Sequence, residues 1–325
     1  MTHDPAHSVS RDPHSSASRH PEDPAVNRPL LDRRGVLKAA VGSAGLMAFP
    51  GLVRAAETKA PPRRYCAFIK FVQQYSFDEL SERIAAAGFD GVEATVRKEG
   101  YILPEEAPDR LPALVEALTK NGLELTVSTT DILRADQPHA EALLRTASQL
   151  GAPTYRLGFY RYDKHTDLRK QIANVNAAMV ELAAMNHELG LNGVYQNHSG
   201  PDYVGAPVWD LPLILEGVSP REVGIAFDIR HATIEGGLAW PLHYRVAKPW
   251  LRVLYAKDFF WDGRKAEHAP MGQGLVDPKF YKQVAASGYD GAVSVHVEYL
   301  RKEGPEANMQ ALATDLKALK GLLEA

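Results

Sequence analysis

Polar residues that can bind a cation or move a proton follow four short apolar runs in the second half of the chain. The clusters are Gln196-Asn197-His198-Ser199-Gly200, Asp228-Ile229-Arg230-His231, Lys257-Asp258 and Glu298. If the runs are parallel strands of an α/β barrel, these residues meet at one mouth, where such folds build their active sites. Carboxylates and histidines that meet there indicate metal-assisted chemistry on a sugar.

The rest of the chain supplies elements that would bring these clusters together. From residue 65 onward, β-branched or aromatic runs alternate with stretches of helical periodicity. The predicted strands are 65–71, 91–96, 123–128, 153–158, 193–197, 223–228, 251–257 and 291–298. The predicted helices are 77–87, 110–120, 139–150, 167–189, 209–216, 240–246, 278–286 and 306–323. Eight such units predict an α/β fold, a single-domain (β/α)8 TIM barrel.

Composition supports one large domain and argues against two other classes. The chain has 325 residues, 45% of them hydrophobic, which can bury a large core without splitting in two. Its formal charge of −3 disfavours a nucleic-acid partner, because such proteins concentrate positive charge. A doubly wound sheet would require a glycine-rich loop after an early strand, and residues 72–76 contain no glycine. The single Cys66 cannot form an intramolecular disulfide and is predicted to lie buried in the first strand.

The first 55 residues have the features of an export leader. Residues 1–30 hold four of the twelve histidines and show no hydrophobic periodicity, so we expect them to be disordered. Arg33-Arg34, a mildly apolar run to Val53 and the small residue Ala55 are typical of a twin-arginine signal peptide. The alternative is a chance arginine pair before an amphipathic helix.

This leader predicts three segments and a location. Residues 1–55 would be the disordered leader and signal peptide, 56–64 a short linker and 65–325 the barrel. The twin-arginine translocase would export the folded chain, which would then be periplasmic or secreted. No other stretch approaches the ~18 consecutive apolar residues of a membrane span, so we expect no stable span after cleavage.

Several short motifs resemble those of the xylose-isomerase-like barrel superfamily. They are Ala87-Gly88-Phe89-Asp90-Gly91-Val92-Glu93, Gln196-Asn197-His198-Ser199-Gly200, Asp228-x-x-His231, Lys257-Asp258 and Glu298, within a resemblance over residues 65–323. That superfamily contains sugar and sugar-phosphate isomerases, epimerases, inosose dehydratases and apurinic-site endonucleases. The resemblance implies a barrel that often forms homodimers and holds one divalent metal ion. Manganese is the first expectation, with zinc, cobalt or magnesium as alternatives.

The resemblance also implies a ligand set, part of which this chain keeps. The superfamily holds its metal with a Glu of strand five, an Asp of strand six, a His of strand seven and a Glu of strand eight. Asp228 and Glu298 match two of these positions, whereas Gln196 and Tyr255 replace the first Glu and the His. Side chains two apart on a strand share a face, so His198 beside Gln196 is the best replacement ligand. The predicted metal ligands are His198, Asp228, Glu298 and Gln196.

The chemistry implied is removal of a proton next to a carbonyl, with the metal stabilising the enediolate oxygen. Because Gln196 replaces one Glu, a single base remains, which favours one-base isomerisation or β-elimination. The predicted catalytic residues are Glu298, with Lys257 or His231 as the proton donor. The predicted substrate ligands are Glu93, Arg97, Arg156, Gln196 and Tyr255. Structural alternatives stay open: a loop-ordering Lys257-Asp258 ion pair, a Glu93-Arg97 pair, and a packed His296.

These residues together predict an exported, metal-dependent sugar isomerase or epimerase. A keto-glycoside lyase or hydrolase that acts by β-elimination could use the same site, and a non-catalytic sugar-binding barrel is the next alternative. An apurinic-site nuclease is least favoured, because its additional metal-binding histidines have no counterpart that we can place. Export favours free sugars, keto-sugars or glycosides over phosphorylated sugars as substrates.

Overall fold

Ten strands and nine α-helices make up the part of the chain that this computed structural model describes, residues 63–324. The strands are β1 (Arg64–Phe68), β2 (Gly91–Thr95), β3 (Glu124–Thr129), β4 (Thr154–Arg156), β5 (Asn192–Gln196), β6 (Val223–Asp228), β7 (Leu251–Ala256), β8 (Asp258–Asp262), β9 (Lys265–Ala269) and β10 (Ala292–Val295). The helices are α1 (Phe77–Ala86), α2 (Ala107–Lys120), α3 (Ala140–Gln149), α4 (Leu168–Leu189), α5 (Asp210–Ile214), α6 (Ile229–Gly236), α7 (Trp240–Ala247), α8 (Lys279–Ala286) and α9 (Pro305–Glu324). The predicted leader, the signal peptide and residues 56–62 of the predicted linker lie outside the described residues.

Eight of these strands are parallel and close into a barrel. The order around the barrel is β1-β10-β7-β6-β5-β4-β3-β2, and β1 pairs with both β10 and β2. At least one helix connects each strand of the barrel to the next, as parallel neighbours require. The predicted single-domain (β/α)8 TIM barrel is confirmed, and all eight predicted strands are present.

The strands are apolar because the barrel buries both of their faces. Every residue of β6 is buried, and Phe227 packs outward into the core beneath the helices. Ala226 points the other way, into an inner cluster formed with Val127, Val194, Val253 and Tyr255. Parallel strands covered on both sides therefore read as continuous apolar runs rather than as alternating ones. The layered interior is a packed core, and its open end lies at the carboxyl ends of the strands.

Two elements near that open end were absent from the sequence-based prediction. Helix α6 begins directly after β6, and its β-branched residues and terminal glycines obscure the helical period. Strands β8 and β9 form an antiparallel hairpin within the long segment that follows β7. Its turn contains Gly263 with φ of +58°, a backbone conformation that glycine adopts without penalty.

Two smaller expectations can also be compared with the structure. Cys66 is fully buried in β1, as predicted, and burial raises the pKa of its thiol. Among the described residues, none of the helices is both long enough and apolar enough to cross a membrane.

Candidate active site

Asp228 ends β6 and at the same time caps the next helix. Its Oδ1 accepts the backbone N–H of His231 at 3.1 Å, which satisfies one of the free donors at the start of α6. The residue is fully buried, and its Oδ2 faces side chains of the barrel mouth. Burial by itself would raise the pKa of this carboxyl, but the Lys257 ammonium, through its charge and its hydrogen bond, holds the pKa below its usual range. Asp228 is therefore a buried anion.

Lys257 provides the cation that this anion requires. The residue follows β7, and its Nζ lies 3.0 Å from Asp228 Oδ2 and 3.0 Å from Glu298 Oε1. Burial would lower the pKa of the amine, but the two carboxylates raise the pKa above its usual value. A lysine that stays protonated donates hydrogen bonds and is not a nucleophile, so the site does not favour Schiff-base chemistry.

Glu298 is the second anion of this cluster and borders the solvent. Its side chain is 12% exposed, and its Oε2 lies 3.4 Å from Arg301 Nη2. The same Arg301 nitrogen contacts His268 Nε2 at 2.6 Å. Burial would raise the pKa of Glu298, but the Lys257 ammonium and His296 hold the pKa well below the ordinary value. The carboxylate is thus ionised, with Lys257 at one oxygen and Arg301 at the other.

Gln196 is oriented by the groups on its two sides. Its Nε2 donates to Asp228 Oδ2 at 2.8 Å, and its Oε1 lies 3.5 Å from Arg156 Nη1. The opposite amide orientation would place its oxygen against the Asp228 carboxylate and its N–H groups against a guanidinium. Arg156 is itself buried, and its guanidinium lies 4.6 Å from the ring centre of Phe159.

Glu93 on β2 is fully buried and accepts hydrogen bonds from four side chains. Its Oε1 accepts from Thr129 at 2.5 Å and from Tyr255 at 2.9 Å. Its Oε2 accepts from Ser294 at 2.6 Å and lies 3.1 Å from His296 Nε2. Burial would raise the pKa of Glu93, but His296 and the hydroxyl donors lower the pKa to about 2. The Tyr255 hydroxyl is likewise engaged inside the barrel, so substrate binding by either residue stays a prediction.

His296 is a functional candidate that the sequence-based reasoning treated as a packed barrel residue. Because the Glu93 carboxylate can only accept, His296 Nε2 carries a proton. The other ring nitrogen, Nδ1, is buried without a hydrogen-bond partner, 3.8 Å from Glu298 Oε1. The ring lies between Phe68 and Tyr255, with ring centres 4.3 and 4.4 Å away. The available signal was its position two residues before Glu298, on the same face of the strand.

His198 and His231 form a stacked pair at the side of the site. Their ring centres lie 4.0 Å apart, and Ser199 links them through its backbone oxygen and its hydroxyl. Burial, aided by the Lys257 charge, lowers the pKa of His198 to about 4. Burial also lowers the pKa of His231 well below its ordinary value, although Asp228 opposes this shift. Both imidazoles are therefore neutral near pH 7.

Asp258 does not pair with Lys257 but orders the loop that follows the hairpin. Its carboxylate accepts backbone N–H groups of Phe259 at 2.9 Å, Gly272 at 3.1 Å, Gly274 at 3.0 Å and Val276 at 3.0 Å. The sequence alternative of a Lys257-Asp258 ion pair is wrong, because the ammonium bridges Asp228 and Glu298 instead. Asp258 thus holds most of the loop, and Asp315 accepts the backbone N–H of Met271 at 3.3 Å.

These residues surround a small open pocket of about 100 Å³ at the barrel mouth. Seven of the predicted site residues line it, namely Glu93, Arg97, Arg156, Gln196, His198, Lys257 and Glu298. The other three, Asp228, Tyr255 and His231, contact lining residues from behind. The pocket is completed by Phe68, Lys70, Phe159 and His296.

Comparison with known proteins places this chain in a family. The family model described as "Xylose isomerase-like TIM barrel" matches residues 81–321. The chain belongs to the xylose isomerase-like TIM barrel family. No curated protein matches the chain.

Solved members of this fold are similar along their whole length. A 3-keto-D-glucoside 4-epimerase from E. coli has 17% identity and a TM-score of 0.62, covering 80% of this chain and 99% of its own. A xylose isomerase domain protein from Planctomyces limnophilus has 16% identity and a TM-score of 0.61, covering 81% and 98%. A D-psicose 3-epimerase has 14% identity and a TM-score of 0.58, covering 81% and 100%. At these identities the similarity shows the fold, and two of these neighbours are sugar epimerases.

The divalent metal predicted from the family resemblance does not fit the side chains at this site. Asp228 Oδ2 already receives the Lys257 ammonium and the Gln196 amide N–H, and Gln196 presents its oxygen to Arg156 instead. Tyr255, at the position of the expected His, donates its hydroxyl to Glu93. Within residues 63–324, no three His, Cys, Asp or Glu side chains are arranged to hold a metal ion. Nothing tests manganese dependence directly, and no step below depends on a metal ion.

Proposed function

We propose that this chain is a sugar isomerase or epimerase that moves a proton next to a carbonyl group. The observation that carries this proposal is the Lys257 ammonium, which bridges Asp228 and Glu298 in a pocket at the barrel mouth. An ammonium can stabilise the negative oxygen that forms when a carbon acid loses its proton. The membership in a family whose solved neighbours include sugar epimerases supports a sugar as the substrate.

Each group in the pocket has a role in this reaction. Two of the three N–H donors of Lys257 serve the carboxylates, which leaves one for the substrate carbonyl oxygen. Glu298 takes the proton from the neighbouring carbon, and His296 Nδ1, 3.8 Å from Glu298 Oε1, lies within reach to exchange it. Return of the proton to the adjacent carbon, with a hydroxyl proton passing from one enediolate oxygen to the other, isomerises the sugar. Return to the same carbon on its opposite face epimerises it. Arg156 and Gln196 line the same pocket and would bind substrate oxygens.

The same enediolate would eliminate a leaving group on the next carbon, so a keto-glycoside lyase remains the second candidate. The Lys257 ammonium is the donor that could protonate the departing oxygen, because the other predicted donor, His231, is neutral and lies behind the pocket. Elimination yields an unsaturated ketone with ultraviolet absorbance, whereas isomerisation and epimerisation do not.

Proton exchange tests the proposal directly. Wild-type protein would be incubated with keto-sugars and keto-glycosides in D₂O, and loss of the carbon-bound proton followed by NMR. We expect exchange by wild type, a fall of at least ~100-fold in Glu298→Gln, and no fall in Glu303→Gln, which changes an exposed glutamate. Tight sugar binding without exchange or turnover would contradict the proposal and favour a sugar-binding barrel.

We also propose that the protein is exported through the twin-arginine translocase to the periplasm or the medium. The support is the Arg33-Arg34 pair before a mildly apolar run. Cell fractionation of wild type and of an Arg33→Lys, Arg34→Lys double variant tests this, because the double variant should stay in the cytoplasm. Analytical ultracentrifugation of the exported form tests the predicted homodimer.

A further inference from the structure

We propose that Lys257 is a built-in cation that takes the place of the divalent metal at this barrel mouth, so that the site works without a metal ion. The catalytic part of this inference rests on the proposed function, whereas the binding part does not. Asp228 and Glu298 are the two carboxylates at the expected metal positions, and the Lys257 ammonium lies between them.

The ammonium occupies the point where a cation bound to both carboxylates would lie. Nζ is 3.0 Å from one oxygen of each, and Lys257 is 5% exposed, so the cation is internal to the fold. The remaining Asp228 oxygen is fixed by the start of α6. Neither carboxylate therefore offers an unengaged inner oxygen to a second cation.

Two side chains at positions of expected metal ligands, Gln196 and Tyr255, act here as hydrogen-bond donors. Gln196 turns its N–H toward Asp228, so it strengthens the hold on the carboxylate that a metal would otherwise share. Two carboxylates and one ammonium leave a single negative charge. A divalent ion would have to enter beside an ammonium that touches the same oxygens, and like charges at that separation repel strongly.

In this arrangement Lys257 has the metal's electrostatic role with different geometry. It presents one directed N–H to a carbonyl oxygen, and it cannot coordinate two substrate oxygens at once as a metal can. The substrate is consequently oriented by side chains around the ammonium, such as Arg156, rather than by chelation.

Metal binding tests the inference without requiring activity. Wild type, Lys257→His and Lys282→His would be incubated with 1 mM MnCl₂, desalted and analysed for bound manganese, with Mn²⁺ titrations followed by EPR. We expect less than ~0.1 manganese per chain in wild type and in Lys282→His, an exposed control. Lys257→His removes the ammonium and adds a ligand beside Asp228 and Glu298, so we expect at least ~10-fold tighter Mn²⁺ binding.

The outcomes separate this inference from the proposed function. About one manganese per wild-type chain, lost in Asp228→Asn, would overturn the inference even if the protein exchanges sugar protons. Unchanged proton exchange after EDTA treatment would support the inference. If wild type neither binds metal nor exchanges protons, the inference about metal binding stands and the proposed function is refuted. If Lys257→His fails to fold, the wild-type titration still decides the question.

A second inference rests on other residues: we infer that the substrate carries a carboxylate or phosphate group. Lys70, Arg97 and Arg156 line the pocket, and none has a carboxylate within 4.0 Å among the described residues. Arg156 is 3% exposed, and a buried guanidinium without an anion is costly. Burial lowers the pKa of Lys70 and of Arg97, and the neighbouring cations add to this shift although Glu298 opposes it. A substrate oxyanion would relieve this repulsion and bind to the guanidinium groups in a bidentate manner.

Calorimetric titration with three matched probes tests the second inference independently of turnover. D-glucose, D-glucuronate and glucose 6-phosphate share a ring and differ in charge, so the two acids also distinguish a carboxylate from a phosphate. We expect at least ~10-fold tighter binding of one acid than of glucose, and loss of this preference in Arg97→Gln. No preference for either acid, including no binding of both at 10 mM, would overturn the inference.

Discussion

Replacing Lys257 by Met should be strongly destabilising, and the loss should depend on pH. The change removes the cation from Asp228, which is fully buried, and from Glu298, which is 12% exposed. Removing one partner of a buried ion pair costs about 3–5 kcal/mol, which is a large part of the roughly 5–15 kcal/mol that holds a domain folded. Met retains the length and most of the packing of Lys, so the lost charge dominates.

The pH dependence follows from the sign of the carboxylate shifts. In wild type the pKa values of Asp228 and Glu298 are lowered in the folded state, so their contribution is present above the unfolded pKa and is lost as the pH falls. Without the ammonium, burial would act with less opposition and raise both pKa values. The variant should then prefer protonated carboxylates and regain stability as the pH falls toward 4.5.

Urea unfolding at pH 8 and pH 4.5 measures this difference. We expect a deficit of about 3–5 kcal/mol at pH 8 that becomes clearly smaller at pH 4.5. Lys282→Met removes an exposed lysine and should change the free energy of unfolding by less than about 0.5 kcal/mol at either pH. A Lys257→Met deficit below about 1 kcal/mol, or one that is equal at both pH values, would show that the bridge is not an internal ion pair.

Three further outcomes follow from other contacts. Burial raises the pKa of Asp315 to about 6, so the contribution of this residue to the free energy of unfolding falls as the pH rises from about 4 through 6. Asp315→Asn should therefore raise the free energy of unfolding at pH 8 by about 3 kcal/mol and leave it unchanged near pH 4 in urea titrations. His296→Gln keeps a donor to Glu93 but removes the ring nitrogen that faces Glu298, so proton exchange should fall by ~100-fold while the melting temperature changes little. Gly274→Ala places a Cβ 2.2 Å from Asp258 Oδ1 and 2.4 Å from Phe259 O, so unfolding should become easier by about 1–3 kcal/mol, and an unchanged melting temperature would refute this.

The sequence determined the fold because the fold's signals are local. β6 reads as a strand from its continuous apolar run, and α4 as a helix from its period. Eight alternations of strand and helix leave few ways in which the strands can pair into a closed sheet. The sequence also predicted which end of the barrel carries the site, since polar clusters followed the strand ends. Seven of the ten predicted residues line the pocket there.

What each site residue contacts was decided only by the tertiary structure. Lys257 follows Tyr255 on one strand, but its partners Asp228 and Glu298 come from the two neighbouring strands. His296 meets Glu93 across 203 positions of sequence. Such pairs depend on how far each strand is shifted along its neighbour when the barrel closes, and the residue pattern of a single strand contains no record of that shift. The sequence thus located the charged groups, and barrel closure decided that a lysine lies between the two carboxylates.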